Sequence, residues 1–111
     1  MRYSAGTTNV ATAGTRVQVS NTPDRVLWIR FTARDGNVGG VYVGASGVSS
    51  SVGRELHPPL TANASALAST TEYDFGCYTG KFGPGSVPFS TFWADADTNA
   101  NKVDWEVILA D

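Results

Sequence analysis

Apolar and polar side chains alternate along much of the chain, and this two-residue repeat is typical of half-buried β-strands. The clearest run is 25–34, where every second residue from Leu27 is apolar and Arg30, Thr32 and Arg34 occupy the other face. The residues that this alternation assigns to the core are Leu27, Ile29, Phe31 and Ala33. Further runs contain Val17 and Val19; Val41 and Val43; Tyr73 and Phe75; Val87, Phe89 and Trp93; and Val103, Trp105, Val107 and Leu109. The pattern predicts an all-β domain.

Turn-forming residues separate these runs, since Gly and Asn tolerate positive φ and Pro fixes φ. The predicted turns are Asn21–Asp24, Asp35–Asn37, Gly39–Gly40, Gly83–Gly85 and Asp95–Asn99. Closely spaced strands and turns favour one antiparallel β-sandwich or jelly roll, which we assign to residues 15–111. The Ala-rich segment Leu60–Ser69 is too short and too weakly amphipathic for a stable helix, and we interpret it as a loop.

The first fourteen residues, MRYSAGTTNVATAG, are small and mostly polar. Such a segment buries too little apolar surface to offset the entropy lost on ordering. We therefore predict a flexible N-terminal arm over residues 1–14, either a disordered tail or an arm that orders against another subunit. Arg2 and Tyr3 are its natural anchors, because Arg and Tyr are common at interface hot spots.

Composition excludes several classes of function. The chain has 111 residues, enough for one domain with a real core, and its net charge is −2 without a basic run. Nucleic acid is therefore not an expected partner. No segment approaches the ~20 apolar residues of a membrane span, and the N-terminus does not resemble a secretory signal. The single cysteine, Cys77, cannot form an internal disulfide, and we interpret it as a packed side chain.

Two patterns raise the question of catalysis or metal binding. His57 is the only histidine, and Gly44–Val48 misses the G-x-S-x-G spacing of a nucleophile elbow by one residue. We therefore predict no enzymatic activity and no cofactor. The segment Asp95–Asn101, with Glu106 downstream, resembles a calcium loop, but Ala100 stands where such loops need Gly. A polar hairpin between two strands is the favoured alternative, and Asp104 and Glu106 fit the outward face of the last strand.

Aromatic residues offer a further clue to binding. Trp28 shares strand parity with Arg30 and should point away from the core face, towards a second layer or a neighbouring subunit. A carbohydrate-binding module is one alternative, since β-sandwiches can present aromatic platforms. Its candidate platform residues are Trp28, Tyr42, Tyr78 and Phe82.

A family resemblance enters at VYVGASGVS, residues 41–49, followed by Gly53 and Leu56-His57-Pro58. Together with the preceding GTRVQVS and VLWIRFTARDGNVGG, this segment resembles small virion proteins of tailed bacteriophages and prophages. The resemblance covers about Gly14–Pro59, and the chain departs from it at Pro59, where these proteins often have Gly, and in the segment that follows. It implies a β-sandwich structural subunit without enzymatic activity, found as a capsid decoration or cement protein or in tail or fibre attachments.

Our hypothesis is a capsid decoration protein on the virion exterior, because the chain has no heptads or repeats from which a fibre shaft could form. Its expected partners are the major capsid protein and further copies of itself, in a small homo-oligomer such as a trimer. The candidate interface residues are Arg2, Tyr3, Trp28, Asp35, Asn37, Tyr78 and Phe82. The alternatives are a tail, baseplate or fibre-associated adaptor and a carbohydrate-binding module.

Overall fold

The computed structural model describes residues 2–57, 72–77 and 87–110. This part of the chain forms nine β-strands and one 3₁₀ turn, Phe89–Thr91. The strands are β1 (Arg2–Val10), β2 (Val17–Gln18), β3 (Arg25–Ala33), β4 (Val41–Gly44), β5 (Arg54–Leu56), β6 (Glu72–Cys77), β7 (Val87–Pro88), β8 (Trp93–Ala96) and β9 (Asn101–Ala110). The predicted loop Leu60–Ser69, the turn Gly83–Gly85, and Tyr78 and Phe82 lie outside the described residues.

The strands form two antiparallel sheets, a five-stranded sheet of order β1-β9-β3-β6 with β7 on β3, and a four-stranded sheet of order β2-β8-β4-β5. Apart from the short β7, strands pair from the two ends of the chain inward: β1 with β9, β2 with β8, β3 with β6 and β4 with β5. The rolled ribbon is completed by pairing of β9 with β3 and of β8 with β4. This wrapped arrangement of eight strands in two sheets is a jelly roll. The predicted all-β antiparallel sandwich is therefore confirmed.

The core lies between the two sheets. Its largest fully buried side chains are Phe31, Ile29, Leu56, Val10, Val26, Val41, Val43, Val103 and Val107. Phe31 contacts Phe92, with ring centroids 5.8 Å apart, and Trp105 packs edge-on against Phe89 at 5.1 Å. Because these residues come from both sheets, removal of one large side chain would leave a cavity that neither sheet can close alone.

The alternation in β3 breaks at Leu27. Val26 pairs with Leu109 and Trp28 with Ile108, so Leu27 is an extra residue opposite β9. Such a β-bulge shifts the inward face by one position. Val26 is consequently fully buried with Ile29, whereas Leu27 is half-buried. The prediction that Leu27 belongs to the core face was therefore wrong, while Ile29, Phe31 and Ala33 are buried as predicted.

The run from Val87 to Trp93 is not one strand. β7 ends at Pro88, the 3₁₀ turn follows, and β8 begins at Trp93 in the other sheet. The turn is held by hydrogen bonds from the N–H of Phe89 to the carbonyl of Asp24 (2.7 Å) and from that of Phe92 to the carbonyl of Phe89 (3.3 Å). The chain thus crosses between sheets here, which alternation alone could not reveal.

The predicted flexible arm is wrong for residues 2–10, which form an edge strand within the same domain. β1 pairs with β9 in nine consecutive pairs from Arg2–Leu109 to Val10–Asn101. Val10 is fully buried and Thr8 is 7% exposed. The sequence hides this strand because Ser4, Gly6 and Thr8 fill its inward positions, so its stability comes from backbone pairing rather than from apolar burial. The domain therefore includes β1 and does not begin at residue 15.

Gly6 lies opposite Trp105 in this pairing. A Cβ added at Gly6 would lie 2.5 Å from Cζ2 of the Trp105 indole. Gly6→Ala should therefore force the indole to move and destabilise the fold by about 1–3 kcal/mol. The measurement is the thermal melting temperature, which should fall by about 4 °C for each kcal/mol lost.

Gly47→Ala is the matched control, because no atom lies within 4 Å of the added Cβ. It should change stability by less than about 0.5 kcal/mol. Equal melting temperatures for the two variants would contradict the close packing of β1 against Trp105.

Candidate functional site

The solvent-facing side of the five-stranded sheet is the candidate site, and we call it the outer face. Strand parity and register bring its side chains into rows across β1, β9 and β3. The outer face consists of Tyr3, Ala5, Thr7, Trp28, Arg30, Thr32, Asp104, Glu106 and Ile108. These residues come from both ends of the chain and from its middle, so only the fold assembles them.

One row of the outer face is apolar. Tyr3 pairs with Ile108, and Ile108 pairs with Trp28 on its other side. The two aromatic residues are therefore two strand spacings, about 10 Å, apart along the row. Tyr3 is 62% exposed, while Ile108 and Trp28 are half-buried. The row offers another molecule two aromatic side chains on one sheet surface.

A polar row adjoins it. Glu106 accepts a hydrogen bond from the Tyr3 hydroxyl at 2.9 Å, and one of its carboxylate oxygens lies 3.7 Å from Nη1 of Arg30. The Arg30 guanidinium also lies 5.3 Å from the Trp28 ring centroid, a cation–π distance. The hydrogen bond to Glu106, with burial and the carboxylate charge, raises the pKa of Tyr3 above its usual value. Tyr3 and Trp28 are thus held in place by the charged pair between them.

The next row contains a shallow groove of about 440 Å³, lined in part by Thr7, Arg34 and Asp104. The Thr7 hydroxyl donates to Asp104 Oδ1 at 2.6 Å, and Arg34 Nη1 lies 3.2 Å from the Thr7 hydroxyl and 3.5 Å from the same carboxylate oxygen. Exposed ion pairs of this kind contribute only about 0–1 kcal/mol to stability. Their main effect is to neutralise the charges on the outer face.

Of the five predicted interface residues that the structure describes, it brings two together and separates the other three. Tyr3 and Trp28 share the outer face, whereas the Arg2 guanidinium binds the Asp24 carboxylate at 2.6 Å. Asp35 is exposed in the turn after β3, at the opposite end of that strand from Trp28. Asn37, near that turn, is bound to the backbone of Lys102, with its Nδ2 donating at 2.6 Å and its Oδ1 accepting at 2.8 Å. Asn37 therefore fastens the loop to β9.

Sequence reasoning missed Ile108 and did not connect Arg30 or Glu106 with Tyr3. One signal was present: Ile108 is apolar at an outward position of β9, opposite in parity to Val107 and Leu109. The pairing with Tyr3 had no signal, because the neighbour of β1 in the sheet could not be read from the chain.

Polar side chains of the segment Asp95–Asn101 hold the neighbouring loops in place through hydrogen bonds. Asp95 Oδ1 accepts the N–H groups of Gly14 (3.0 Å) and Ala96 (2.8 Å). Asp97 accepts hydrogen bonds from the Gly40 N–H and the Tyr42 hydroxyl. Asn99 accepts one from the Ala13 N–H, and Asn101 bonds both the N–H and the carbonyl of Val38. The segment joins β8 in one sheet to β9 in the other, so the predicted hairpin between paired strands was wrong.

These contacts leave the calcium-loop pattern without its geometry. Glu106, the downstream carboxylate of that pattern, is on the outer face with Tyr3. Asp95 is buried in β8, in the other sheet, where it accepts the Gly14 N–H. Within residues 2–57, 72–77 and 87–110, no group of three or more His, Cys, Asp and Glu side chains is placed to hold a metal ion. The oxygens of the segment are hydrogen-bond acceptors for nearby loops.

Tyr42 is a buried residue that bonds to this polar segment. It is 6% exposed, and its hydroxyl donates to Asp97 Oδ1 at 2.8 Å. Burial, then the hydrogen bond to Asp97 and neighbouring carboxylates, strongly raises the pKa of Tyr42. Tyr42 is therefore not available as a surface platform.

His57 contacts Glu55 with its Nε2 at the end of β5 and lies close to Gly40.

No protein-family model matches the chain, and no curated protein or solved structure is significantly similar to it. The described residues contain no helix long and apolar enough to cross a membrane.

Tyr42→Phe should destabilise the fold by about 1.5–3 kcal/mol at neutral pH, because the Asp97 carboxylate loses a part-buried, charge-assisted hydrogen bond. The folded pKa of Tyr42 lies above the unfolded value near 10, so its contribution is complete below pH 10 and falls as pH rises further. Above pH 10, chemical denaturation should show a smaller loss of stability for Tyr42→Phe than for the unaltered protein. Tyr3→Phe, which alters an exposed phenol, is the control and should retain most of the alkaline loss. The same alkaline slope with and without the Tyr42 hydroxyl would contradict this assignment.

Ala100 has φ of 66°, in the left-handed region that favours glycine. Ala100→Gly should remove this strain and stabilise the protein by roughly 0.5–1 kcal/mol, after the greater entropy of unfolded glycine is included. Ala45→Gly is the control, since Ala45 is exposed and its φ is not positive. Urea denaturation of both variants checks the prediction, and a loss of stability in Ala100→Gly would refute it.

Proposed function

We propose that this protein is a structural virion protein of a tailed bacteriophage, a decoration protein that binds and stabilises the head shell through its outer face. Its partner is the major capsid protein, and the decoration protein itself has no enzymatic role. The observation that carries the proposal is the solvent-facing row of Tyr3, Ile108 and Trp28, in which Tyr3 is 62% exposed, on a charge-neutralised sheet surface.

The chemistry of the outer face suits binding to another protein. Tyr, Trp and Arg are enriched at protein interfaces, and hot spots concentrate in such residues. Arg30 and Glu106 already neutralise each other, so covering them removes a pair rather than a lone charge from water. Tyr3 is anchored to Glu106, which reduces the entropy it would lose on binding.

Three further arguments support a virion role. Jelly rolls include many viral capsid domains, an analogy of fold that does not by itself imply function. The resemblance of Gly14–Pro59 to small phage virion proteins is independent of that analogy. A decoration protein also fits a small domain that attaches in many copies, since repeated weak contacts add up across a shell.

Carbohydrate binding is the second candidate, because Tyr3 and Trp28 lie on one sheet surface and jelly rolls also include lectin domains. The Arg30 guanidinium lies over one face of the Trp28 ring, so that face is not open to a stacked sugar. This favours a protein partner over a glycan. An adaptor in the tail, baseplate or fibre would use the same protein-binding surface, and copy number separates it from a decoration protein.

The test is binding of the purified protein to particles from its source that lack it, with bound copies counted by quantitative mass spectrometry. The double variant Tyr3→Ala and Trp28→Ala should weaken binding at least 100-fold, because hot-spot truncations cost about 2 kcal/mol or more each. Val52→Ala is the matched control, as Val52 is an exposed apolar side chain, 58% exposed, in the loop after β4. It should bind normally.

The outcomes distinguish the functions. A copy number comparable with the shell protein, lost in the double variant, supports decoration. A handful of copies per particle would move the protein to the tail or a vertex. No binding to particles, together with glycan-array binding that the double variant loses, would replace the proposal with the carbohydrate-binding module.

A further inference from the structure

β1 is a long and regular edge strand. Its nine consecutive pairs with β9 have no register shift, whereas the pairings of β3 with β9 and with β6 each contain one. On its other side, no strand among the described residues pairs with β1. A straight edge of this kind presents alternating N–H and C=O groups that another strand can bind.

β1 lacks the features that protect natural edge strands. These features are short length, proline, bulges and charged side chains, above all Lys. The edge strands of the other sheet, β2 and β5, have only two and three residues, so they are too short to pair readily with another strand. In β1, the only charged residue is Arg2 at its first position, and the middle of the strand is Ser4, Ala5, Gly6, Thr7 and Thr8. These side chains are too small to keep a second backbone away.

Three side chains of β1 are bonded on the side away from the free edge. Tyr3 and Thr7 bond Glu106 and Asp104 on β9, and Arg2 reaches Asp24 beside β3. All three contacts therefore point across the sheet. They hold these three side chains on the β9 side of β1, so none of the three covers the free edge.

We propose that β1 of one copy pairs antiparallel with β1 of a second copy about a two-fold axis, joining the two five-stranded sheets into one. An edge strand is self-complementary in this arrangement, because each free donor of one copy meets a free acceptor of the other. With the axis at Ala5, the two Arg2 residues would lie about 20 Å apart, beyond the range of unscreened repulsion. A parallel arrangement would place them side by side.

This pairing assigns the surface through which copies of the protein associate. It rests on the proposed function only in taking self-association to be part of that function. It predicts a dimer instead of a trimer, with the two outer faces continuous across the joint. The test uses the isolated full chain, so its result is separate from attachment to a particle.

Sedimentation equilibrium over a wide range of protein concentration is the experiment. The unaltered protein should form a reversible dimer. The double variant Ala5→Lys and Thr7→Lys places each Lys opposite Glu106 or Asp104 within its own copy, which favours folding, but lines the joint with like charges. Its dimer dissociation constant should rise at least about tenfold while its melting temperature is maintained.

The control variant Ser46→Lys and Val52→Lys adds the same charge at exposed positions away from β1 and should dimerise normally. A protein that is monomeric at every concentration would overturn the proposal, as would a dimer that the lysines in β1 leave unchanged.

A second measurement covers the case in which the lysine variant fails to fold. In a Cys77→Ser background, single cysteines replace Tyr3, Ala5 or Thr7, and the variants are oxidised separately and mixed in pairs. A disulfide-linked dimer should form for the residue at the axis or for one mixed pair. A Val52→Cys control should not crosslink efficiently, and equal yields at Val52 and at all β1 positions would refute the pairing.

Discussion

The pairing of β1 with β9 is the interaction on which the rest of this structure depends. It joins the two ends of the described chain and sets the order of the five-stranded sheet. It also determines the environment of Trp105, whose indole lies over Gly6, donates to the Thr8 hydroxyl at 3.2 Å and packs against Phe89. β1 has few apolar residues, but the fold depends on it. Its backbone pairs with β9, and Gly6 leaves the space that the Trp105 indole occupies.

A second constraint is the crossing between sheets, which a jelly roll requires several times. The crossing after β8 is held by Asp95, Asp97, Asn99 and Asn101, each bonding a different part of the loops around it. In the described part of the chain, no buried side-chain nitrogen or oxygen lacks a hydrogen-bond partner. Loop backbone groups that would be costly to bury alone are paired with these side chains. The polar residues here therefore stabilise the fold where the apolar core does not reach.

The outer face differs from both regions, because its contacts contribute little to stability. Its ion pairs are exposed, and Tyr3 is more exposed than most large apolar residues of the domain. Energetically, the fold does not need an aromatic row on this surface. An arrangement that stability does not explain is where a binding function is best sought, and it adjoins the free edge of β1.

The sequence by itself determined the all-β class and much of the core. Alternation in β9 correctly assigned Val103, Val107 and Leu109 inward and Asp104 and Glu106 outward, since a strand with one buried face imposes a repeat of two. It also placed Trp28 on the same side as Arg30, which the structure confirms.

The tertiary structure decided what a local repeat cannot carry. The bulge at Leu27 changes the parity of its own strand, and the turn at Phe89–Thr91 sends the chain to the other sheet. Residues 2–10 form a strand only because β9 offers a partner about a hundred residues later in the chain. The row of Tyr3, Ile108 and Trp28 depends on that long-range pairing. Strand register is a relation between distant segments, so it becomes visible only when the chain is folded.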